Sequence, residues 1–461
     1  MVTQTISSPT YKTPPGPPGY PFVGCLPKML QNPLQFLMNS ALEYGDVVHM
    51  GAMGRQQVYL VSHPDHVKYV LQENSQNYAK VKGQTFKELK NIFGESLAVS
   101  EGERWRRQRR LMQPSFHRQR IETLVAVMTE AISQMIKEWR STERGKPFDV
   151  SLSIREVTQK IALKALFDVD ADSKLKELIG AWDPIYKFVS DRLLTPFKFP
   201  VEIPIPSHRR FQEAMLKLNT FIYDTIQERK QGDKQSGDLL SMLLDARDEE
   251  SGDSMSDLEL RNEIIAMFIG GFETSATVLA WTWYLLSKHT SVERKLDAEI
   301  AEVLGGRTPT FEDLRHLKYT RMVVEETMRL YPSVWLSTRT SLETDFIGNY
   351  RIPAQSSILL SPFVTHRLPS FWNNPEGFDP ERFAPEQVAA RPRYAYYPFG
   401  GGSRYCIGDT YAMTQMQLVI AMVAQKFRLN LFPEHPVERQ AGFTLRSRYG
   451  MLMTLESKSA S

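Results

Sequence analysis

A short stretch near the C-terminal end of the 461-residue chain holds the residue best suited to chemistry. Residues 399–408 read FGGGSRYCIG and include Cys406, one of the 2 cysteines of the chain. A thiolate, rather than a thiol, binds a metal, and positive charge nearby favours it. Arg404 lies just before the sulfur, and a helix predicted to begin just after it adds the positive end of its dipole. Cys406 is therefore the leading candidate for a metal-binding thiolate, whereas residue type alone favours a buried structural cysteine.

The pattern around Cys406 strengthens this interpretation. The glycines let the backbone pass close to a large flat ligand, and Gly408 would leave amide groups pointing at the sulfur, where they tune an iron-bound thiolate. Every fixed position of the haem-ligand signature FxxGxRxCxGxxxA is matched, by Phe399, Gly402, Arg404, Cys406, Gly408 and Ala412. The chain therefore resembles the cytochrome P450 superfamily.

A second motif lies in an apolar segment, 264–287, that is long enough to cross a bilayer. Glu273 near its midpoint argues against lipid, and the glycines before it predict a buried helix that is locally distorted where it meets a ligand. The sequence GGFETS resembles the family's oxygen-binding helix motif. The resemblance implies that Thr274 orients dioxygen and its waters and that Glu273 helps to deliver protons. A hydroxyl bonded within its own helix is the ordinary alternative for Thr274.

Glu326 and Arg329 stand three residues apart, on one face of a predicted helix. The ordinary explanation is a surface ion pair of little energetic weight. In the resembled family this ExxR pair joins a downstream arginine, here Arg382 in FDPERF, in a buried network. The resemblance thus implies a structural triad that braces the backbone carrying Cys406.

The basic run GERWRRQRR, residues 102–110, could by itself indicate an anionic partner. Trp105 and Arg109 are one helical turn apart, so an indole and a guanidinium could both reach a haem propionate. This pair matches the family's WxxxR. The resemblance adds Arg339, on a predicted strand, and Arg404 as further propionate ligands.

Three other arginines of this run, Arg106, Arg107 and Arg110, are expected to remain free. They form either a solvated charged face or a docking patch for an acidic electron donor. The formal net charge of only +3 argues against a nucleic-acid-binding protein, which needs a concentrated basic surface.

Composition and length indicate a large globular enzyme, with 42% hydrophobic and 24% charged residues. Residues 1–24 form a proline-rich segment without a signal peptide or transmembrane anchor, and residues 25–461 are predicted to be a single catalytic domain with a small β-rich subregion near the N-terminus. The 2 cysteines cannot form a disulfide framework, which favours a reducing compartment. We expect a soluble, cytoplasmic, monomeric protein of bacterial type.

The sequence predicts a mainly α-helical protein with a minor β portion. Asn32 caps a helix that stops at Gly45, and strands at 47–50 and 58–61 form a hairpin. Further helices are predicted at 121–139, 174–191, 209–230, 311–330 and 411–427, with terminal strands in 443–455. The resemblance implies the P450 fold, with haem b between the long central helix and the helix that follows the cysteine loop.

The function that the resemblance implies is that of a haem-thiolate monooxygenase, which inserts one oxygen atom of dioxygen into a C–H bond or C=C. The chain has no GxGxxG, GxxxxGK, HExxH or CxxC motif, so NAD(P)H would act through a separate ferredoxin or flavodoxin with its reductase. Two alternatives stay open: an enzyme that uses peroxide or rearranges a hydroperoxide, and a non-catalytic haem sensor.

The substrate is poorly encoded in the sequence. By resemblance the pocket draws on the loop 78–101, the turn 194–206, the central helix and the residues after the ExxR helix. Its candidate lining residues are Met267, Gly270, Val334 and Trp335. Apolar lining favours a fatty acid, alkane or terpenoid over a sugar or nucleotide, although the same residues could be plain core.

Overall fold

The computed structural model describes residues 12–80, 84–141, 145–168, 173–195, 198–232 and 237–458. Residues 1–11 of the predicted proline-rich segment lie outside these ranges, as do 81–83 and 196–197 of the predicted pocket loops and 459–461 of the predicted domain. The chain divides into two compact units. The first unit comprises Met1–Gly83, Leu336–Asn373 and Pro392–Tyr405, and the second comprises Gln84–Trp335, Asn374–Arg391 and Cys406–Ser461. The predicted single domain over 25–461 stays a prediction.

Helices dominate the described residues. In chain order the α-helices are α1 (Leu26–Gln31), α2 (Pro33–Tyr44), α3 (Pro64–Lys68), α4 (Gln84–Phe93), α5 (Gly102–Met112), α6 (Arg118–Arg140), α7 (Val150–Phe167), α8 (Ser173–Leu194), α9 (Pro206–Gln231), α10 (Leu239–Asp245), α11 (Asp257–Lys288), α12 (Thr290–Leu304), α13 (Lys318–Leu330), α14 (Pro362–Thr365), α15 (Pro385–Ala390) and α16 (Asp409–Ala424). The strands are β1 (Val47–Met53), β2 (Gln56–Val61), β3 (Tyr78–Ala79), β4 (Phe148–Asp149), β5 (Ser337–Ser341), β6 (Asp345–Ile347), β7 (Tyr350–Ile352), β8 (Ser357–Leu360), β9 (Phe427–Leu431), β10 (Arg439–Ala441), β11 (Leu445–Ser447) and β12 (Leu452–Ser457). The predicted mainly α fold with a minor β portion is confirmed.

The first unit is built on a sheet of five strands in the order β1-β2-β8-β5-β3. β1 and β2 form the predicted antiparallel hairpin, and β2 pairs with β8 in parallel. The predicted cap of α2 is also present, because the Asn32 side chain accepts a hydrogen bond from Gln35 N at 3.2 Å and Gly45 follows the last turn. Capping and glycine residues in the local sequence therefore suffice to predict α2 and the β1–β2 hairpin.

The second unit is organised around α11, which packs along α7 and also contacts α9, α13 and α16. The helix begins with a capping box between Ser256 and Glu259. It is long and apolar enough to cross a membrane, yet most of its apolar stretch is buried within the protein. The antiparallel sheet β4-β12-β9 and the two-stranded β10-β11 hairpin complete the unit.

Two predicted elements differ from the structure. α13 begins at Lys318, because the segment before it forms a tight turn around Asp313, whose carboxylate accepts from Thr310 N at 2.8 Å. The Glu299 side chain then accepts from Thr320 N at 2.8 Å and caps the helix start. The second difference is in α11, which is continuous through residues 270–275, whereas the sequence predicts a local distortion there.

Candidate functional site

The loop before Cys406 is tightly packed within the first unit. Gly402 has φ of +63°, and a Cβ there would come within 1.9 Å of the Leu71 carbonyl oxygen. Its backbone N–H donates to the Tyr394 hydroxyl at 3.1 Å, and that hydroxyl donates to Gln72 Oε1 at 2.9 Å. Glycine is thus required at position 402 by the protein's own backbone, independently of any ligand.

Cys406 opens the last segment of the second unit. Its side chain is exposed, and α16 begins at Asp409 with Gly408 as the residue before its first turn. The predicted helix N-terminus beyond the sulfur is therefore present, and its partial positive charge favours a thiolate. The other cysteine, Cys25, is buried, and burial raises the pKa of its thiol.

α5 carries the predicted WxxxR pair. Trp105 and Arg109 are both partly buried on one face of this helix. Burial lowers the pKa of the Arg109 guanidinium, and the negative charges of Cys406 and Asp409 oppose that change. The Arg109 charge is thus within electrostatic range of the sulfur. An arginine at this place could bind a carboxylate of a ligand held at Cys406.

The other arginines of α5 are not free, which corrects the expectation from sequence. Arg107 pairs with Glu259 at 3.0 Å, and Arg110 pairs with the buried carboxylate of Asp248 at 3.0 Å. Arg106 has an exposed partner one turn earlier in the same helix. Arg110 is thus neutralised by the segment before α11 and Arg107 by the first turn of α11, so these two arginines are not the free cations that the predicted docking patch requires.

The predicted triad is assembled within the second unit. Glu326 and Arg329 are fully buried, and Arg329 Nε donates to Glu326 Oε2 at 2.6 Å. Arg382 Nε lies 3.4 Å from Glu326 Oε1, which also accepts from Asp379 N at 2.9 Å. Burial raises the pKa of Glu326, and the hydrogen bonds from Arg329 oppose that rise.

Both arginines of the triad also bind backbone. Arg329 donates to the carbonyl oxygens of Pro375 at 2.6 Å and Gly377 at 2.8 Å, and Arg382 donates to that of Asn374 at 3.0 Å. The triad thus fastens the irregular stretch 374–382 to α13. Its predicted effect on Cys406 stays a prediction.

One face of α11 remains accessible in the middle of an otherwise buried helix. Between residues 261 and 283 only five residues are not buried, namely Ala266, Met267, Gly270, Gly271 and Thr274. Their spacing places them on a single face. The Thr274 hydroxyl donates to the Gly270 carbonyl oxygen at 2.8 Å, as in the ordinary alternative for this residue.

Glu273 lies at the edge of that face and is fully buried. Its carboxylate pairs with Arg446 of β11 and accepts from Trp182 Nε1 of α8 at 2.8 Å. The Thr444 hydroxyl donates to Oε1 at 2.7 Å. Sequence reasoning missed all three partners, because the only local signal was an arginine within the apolar terminal strands.

The residues after α13 meet the terminal hairpin. Trp335 is buried and its Nε1 donates to the Gly442 carbonyl oxygen at 2.9 Å, while Val334 is exposed. Leu445 N donates to the Ser333 carbonyl oxygen at 3.0 Å. Trp335 thus supports the hairpin, and its predicted pocket role, like those of Val334, Met267 and Gly270, stays a prediction.

The remaining predicted residues lie in the first unit. Arg339 is buried on β5, where its Nη1 donates to the Thr338 carbonyl oxygen at 2.9 Å. Phe399 packs near Tyr405, with ring centroids 6.3 Å apart, and Arg404 ends the short turn Gly402–Arg404. Their predicted roles at a cofactor stay predictions.

The donors of the second unit fit a haem with a thiolate ligand. Haem iron needs only one strong protein ligand on its proximal side, and Cys406 is an exposed thiol at a helix start. Among the described residues there is no group of three or more His, Cys, Asp or Glu that could hold a bare metal ion. Arg109 supplies a cation near the sulfur, and α11 supplies an accessible face with a single hydroxyl.

Comparisons with known proteins show the family to which the chain belongs. A family model described as Cytochrome P450 matches residues 14–453. The chain is 37% identical over 419 residues to cyclooctatin synthase of Streptomyces melanosporofaciens, which covers 90% of each chain. It is 35% identical over 422 residues to cyclooctat-9-en-7-ol 5-monooxygenase of the same organism, with 90% of this chain and 89% of the relative covered. It is 30% identical over 433 residues to pentalenene oxygenase of Streptomyces avermitilis, with 94% of each covered.

Among solved structures, the crystal structure of the cytochrome P450DA haem domain matches with a TM-score of 0.88. The match covers 98% of this chain and 99% of that chain at 23% sequence identity. At this level of identity the likeness shows the fold alone.

Proposed function

Because this chain belongs to the cytochrome P450 family and is a monooxygenase, we propose that Cys406 is the thiolate ligand of its haem iron. The observation that carries this assignment is the exposed sulfur at the N-terminus of α16, with the Arg109 charge within electrostatic range. The bound haem supplies the activation of dioxygen and the transfer of one oxygen atom to a C–H bond or C=C. Cys25 is buried and is excluded from this role.

The chain's own residues bind and orient the reactants. Thr274 is the only hydroxyl on the accessible face of α11, and it releases the Gly270 carbonyl oxygen when it turns to bind dioxygen or water. Trp105, Arg109, Arg339 and Arg404 would hold the carboxylates of the haem, and Phe399 and Gly408 would shape the surroundings of the sulfur. The apolar residues of the α11 face exclude water from the reacting C–H bond.

The substrate we propose is a cyclic terpenoid, one of the three hydrophobic classes that the sequence indicates. Relatives that share 90% or more of this chain's length carry names that denote cyclic alkene or alkenol compounds, cyclooctat-9-en-7-ol and pentalenene. Met267 and Gly270 would contact it from α11, and Val334 from the stretch after α13. A compact apolar skeleton suits such a lining better than a charged head group does.

Electrons come from a separate ferredoxin or flavodoxin with its reductase and NAD(P)H. The chain has no nucleotide-binding motif of its own, and two electrons are needed for each oxygen atom inserted. Arg107 and Arg110 are paired within the chain, so a donor that bound them would have to compete with Glu259 and Asp248. We place the enzyme in the cytoplasm as a monomer.

A single panel experiment tests this proposal. Purified haem-loaded protein is titrated with cyclic terpenes, fatty acids and alkanes, and the shift of the haem spectrum from low to high spin is recorded. The same compounds are then incubated with a ferredoxin, its reductase and NADPH. We expect terpenes to cause the shift and to yield oxygenated product that depends on NADPH.

Each result that would contradict the proposed function points to a different alternative. Product formed only with added peroxide would indicate a peroxide-using enzyme, and a spectral shift without product under either condition would indicate a sensor. A response to fatty acids or alkanes alone would refute the substrate class. Cys406→Ala should lose the thiolate-ligated haem spectrum, whereas Cys25→Ala, the matched control, should keep it.

A further inference from the structure

Tyr394 is a buried side chain of the first unit that lies directly against the glycine loop before Cys406. A Cβ at Gly401 would come within 2.4 Å of Tyr394 Cε1 and within 2.6 Å of its hydroxyl oxygen. Gly401 has φ of −167°, which is extended backbone that any residue adopts. Glycine is therefore needed at position 401 because the phenol is so close, since any larger residue would displace it.

The Tyr394 hydroxyl makes two hydrogen bonds in opposite roles. It accepts from Gly402 N at 3.1 Å and donates to Gln72 Oε1 at 2.9 Å. A hydroxyl has one O–H to donate and lone pairs with which to accept. The Gln72 oxygen takes the O–H, so a lone pair of the phenol is left to face the Gly402 N–H. Gln72 thereby orients the hydroxyl as an acceptor for the loop.

Gln72 belongs to a π-helical turn, Tyr69–Glu73, that contacts the glycine loop twice. Asn74 N closes the turn by donating to the Tyr69 carbonyl oxygen at 2.8 Å. The same turn supplies the Leu71 carbonyl oxygen that leaves no room for a Cβ at Gly402. Turns of this kind are rare and are found frequently at functional sites.

The carboxylate of Asp345 on β6 holds both ends of this turn. The Tyr69 hydroxyl donates to Oδ1 at 3.0 Å, and Asn74 Nδ2 donates to Oδ2 at 2.9 Å. The Tyr78 hydroxyl also donates to Oδ2, at 2.7 Å. Burial acts to raise the pKa of Asp345, but the hydrogen bonds from Tyr78 and the other donors outweigh it and lower that pKa. The carboxylate is therefore ionised at neutral pH and accepts from all three side chains.

We infer that Tyr394 is a positioning residue for the thiolate, and that the turn Tyr69–Glu73 holds Tyr394 in place for this role. The hydroxyl fixes the backbone at Gly402, four residues before Cys406, and so sets the direction in which the chain enters the cysteine. The inference rests on the proposed assignment of Cys406 as the haem ligand. It refines that assignment, because it names a residue outside the FxxGxRxCxGxxxA pattern on which the ligation depends.

The test compares Tyr394→Phe, Gln72→Ala and the double variant with the matched control Tyr397→Phe. Tyr397 is as deeply buried as Tyr394, but its hydroxyl shares a hydrogen bond of 3.2 Å with Thr365 Oγ1 rather than with the glycine loop. The control therefore removes an equivalent buried hydroxyl from the same stretch of chain.

Two quantities are measured. One is the amide hydrogen exchange of residues 400–405. The other is the rate at which the reduced carbon monoxide complex of the haem-loaded protein loses its thiolate-ligated spectrum for that of a neutral thiol. We expect Tyr394→Phe to speed both several-fold, because Gly402 N loses its acceptor and the loop no longer fixes the sulfur.

The other variants have different expected results. Gln72→Ala should act in the same direction as Tyr394→Phe. The double variant should be no worse than Tyr394→Phe, because Gln72 acts through the hydroxyl. Tyr397→Phe should lower the free energy of unfolding in denaturant and leave both quantities at the values of the unmodified protein.

Equal rates of thiolate loss in Tyr394→Phe and Tyr397→Phe would overturn the inference, because the hydroxyl would then contribute to stability alone. Unchanged hydrogen exchange of the loop in Tyr394→Phe would overturn it as well. If Tyr394→Phe does not fold, the exposed Gln72 decides. Gln72→Glu keeps an acceptor oxygen and should match the unmodified protein, and equal behaviour of Gln72→Glu and Gln72→Ala would refute the role.

The two readouts separate this inference from the proposed function. Hydrogen exchange is measured without turnover and does not depend on which residue binds the iron. It therefore decides the contact between Tyr394 and the loop even if Cys406→Ala keeps a thiolate-ligated spectrum. Conversely, a failed role of Tyr394 leaves the assignment of Cys406 standing.

Discussion

Thr274 and Glu273 are neighbours in one motif of α11, but their side chains differ in accessibility and in hydrogen-bond partners. Thr274 is accessible and bonded only to its own helix, so its hydroxyl can rotate toward a ligand at little cost. Glu273 is buried in an ion pair, so its carboxylate moves only with its partners. Thr274 therefore remains the residue that we propose to orient dioxygen.

Thr274→Ala should separate oxygen consumption from product formation. Without the hydroxyl, dioxygen and its waters lose their orienting group, so we expect the variant to keep consuming NADPH and oxygen while it releases less hydroxylated product and several-fold more peroxide. The measurement is the ratio of product and peroxide to NADPH consumed.

Two variants control this prediction. Thr274→Ser keeps a hydroxyl and should restore most of the coupling. Thr282→Ala removes a buried hydroxyl of the same helix, which donates to the Val278 carbonyl oxygen at 2.9 Å, and should leave coupling unchanged. Unchanged coupling in Thr274→Ala would refute the assigned role.

At the scale of elements, buried polar groups decide which segments are held together. The triad fastens residues 374–382 to α13, and Glu263 of α11 fastens the segment after α4 by accepting from Leu97 N at 2.9 Å and 3.1 Å. In both cases a helix side chain satisfies backbone groups of an irregular segment. Loss of that side chain leaves buried groups without partners.

Glu326→Ala should fail to fold and therefore fail to hold haem. Removal of one partner from a buried ion network costs about 3 to 5 kcal/mol, against a total stability of about 5 to 15 kcal/mol. Soluble yield and the ratio of haem to protein measure the effect. The control is Glu381→Ala, which removes an exposed pair with Lys295 and should cost under about 1 kcal/mol. A soluble Glu326→Ala protein with a full complement of haem would disprove the structural role.

We expect Glu263 to make the free energy of unfolding depend on pH. Burial raises its pKa to about 8, while an unfolded glutamate titrates near about 4.3. Between these values the folded state binds more protons than the unfolded state, so the free energy of unfolding falls as pH rises, by about 1.4 kcal/mol for each unit of pKa difference. Glu263→Gln cannot ionise and should avoid this loss.

Denaturant unfolding at several pH values checks the prediction. The stability difference between Glu263→Gln and the unmodified protein should grow from about pH 5 to about pH 8 in favour of the variant. Glu302→Gln, at an exposed position of α12, is the matched control. Parallel stability curves for Glu263→Gln and the unmodified protein would show that Glu263 does not titrate on unfolding.

At the scale of the whole molecule, each of the two units is assembled from three separate stretches of chain. The cysteine motif itself is divided, because Phe399 to Tyr405 belong to the first unit and Cys406 opens the last stretch of the second. The pattern FxxGxRxCxGxxxA is continuous in sequence, yet some of its residues pack in the first unit and the others in the second. Gly402 meets the backbone of the first unit, and Gly408 precedes a helix of the second.

The sequence by itself determined what depends on neighbours along the chain. The start of α2 at Asn32, the β1–β2 hairpin, the shared face of Trp105 and Arg109, and the helix N-terminus after Cys406 all follow from contacts within a few residues. Such contacts form with little loss of chain entropy, so residue type and spacing suffice to predict them.

Only the tertiary structure decided the partners of charged groups. Arg446 lies 173 positions from Glu273, Trp182 lies 91 positions away, and Asp248 lies 138 positions from Arg110. Pairs at such separations are brought together by the packing of whole elements, which no local pattern encodes. The role of Glu273 in proton delivery stays a prediction, but only the folded chain shows its buried ion pair and, in place of the free arginines expected on α5, the partly buried ion pairs of Arg107 and Arg110.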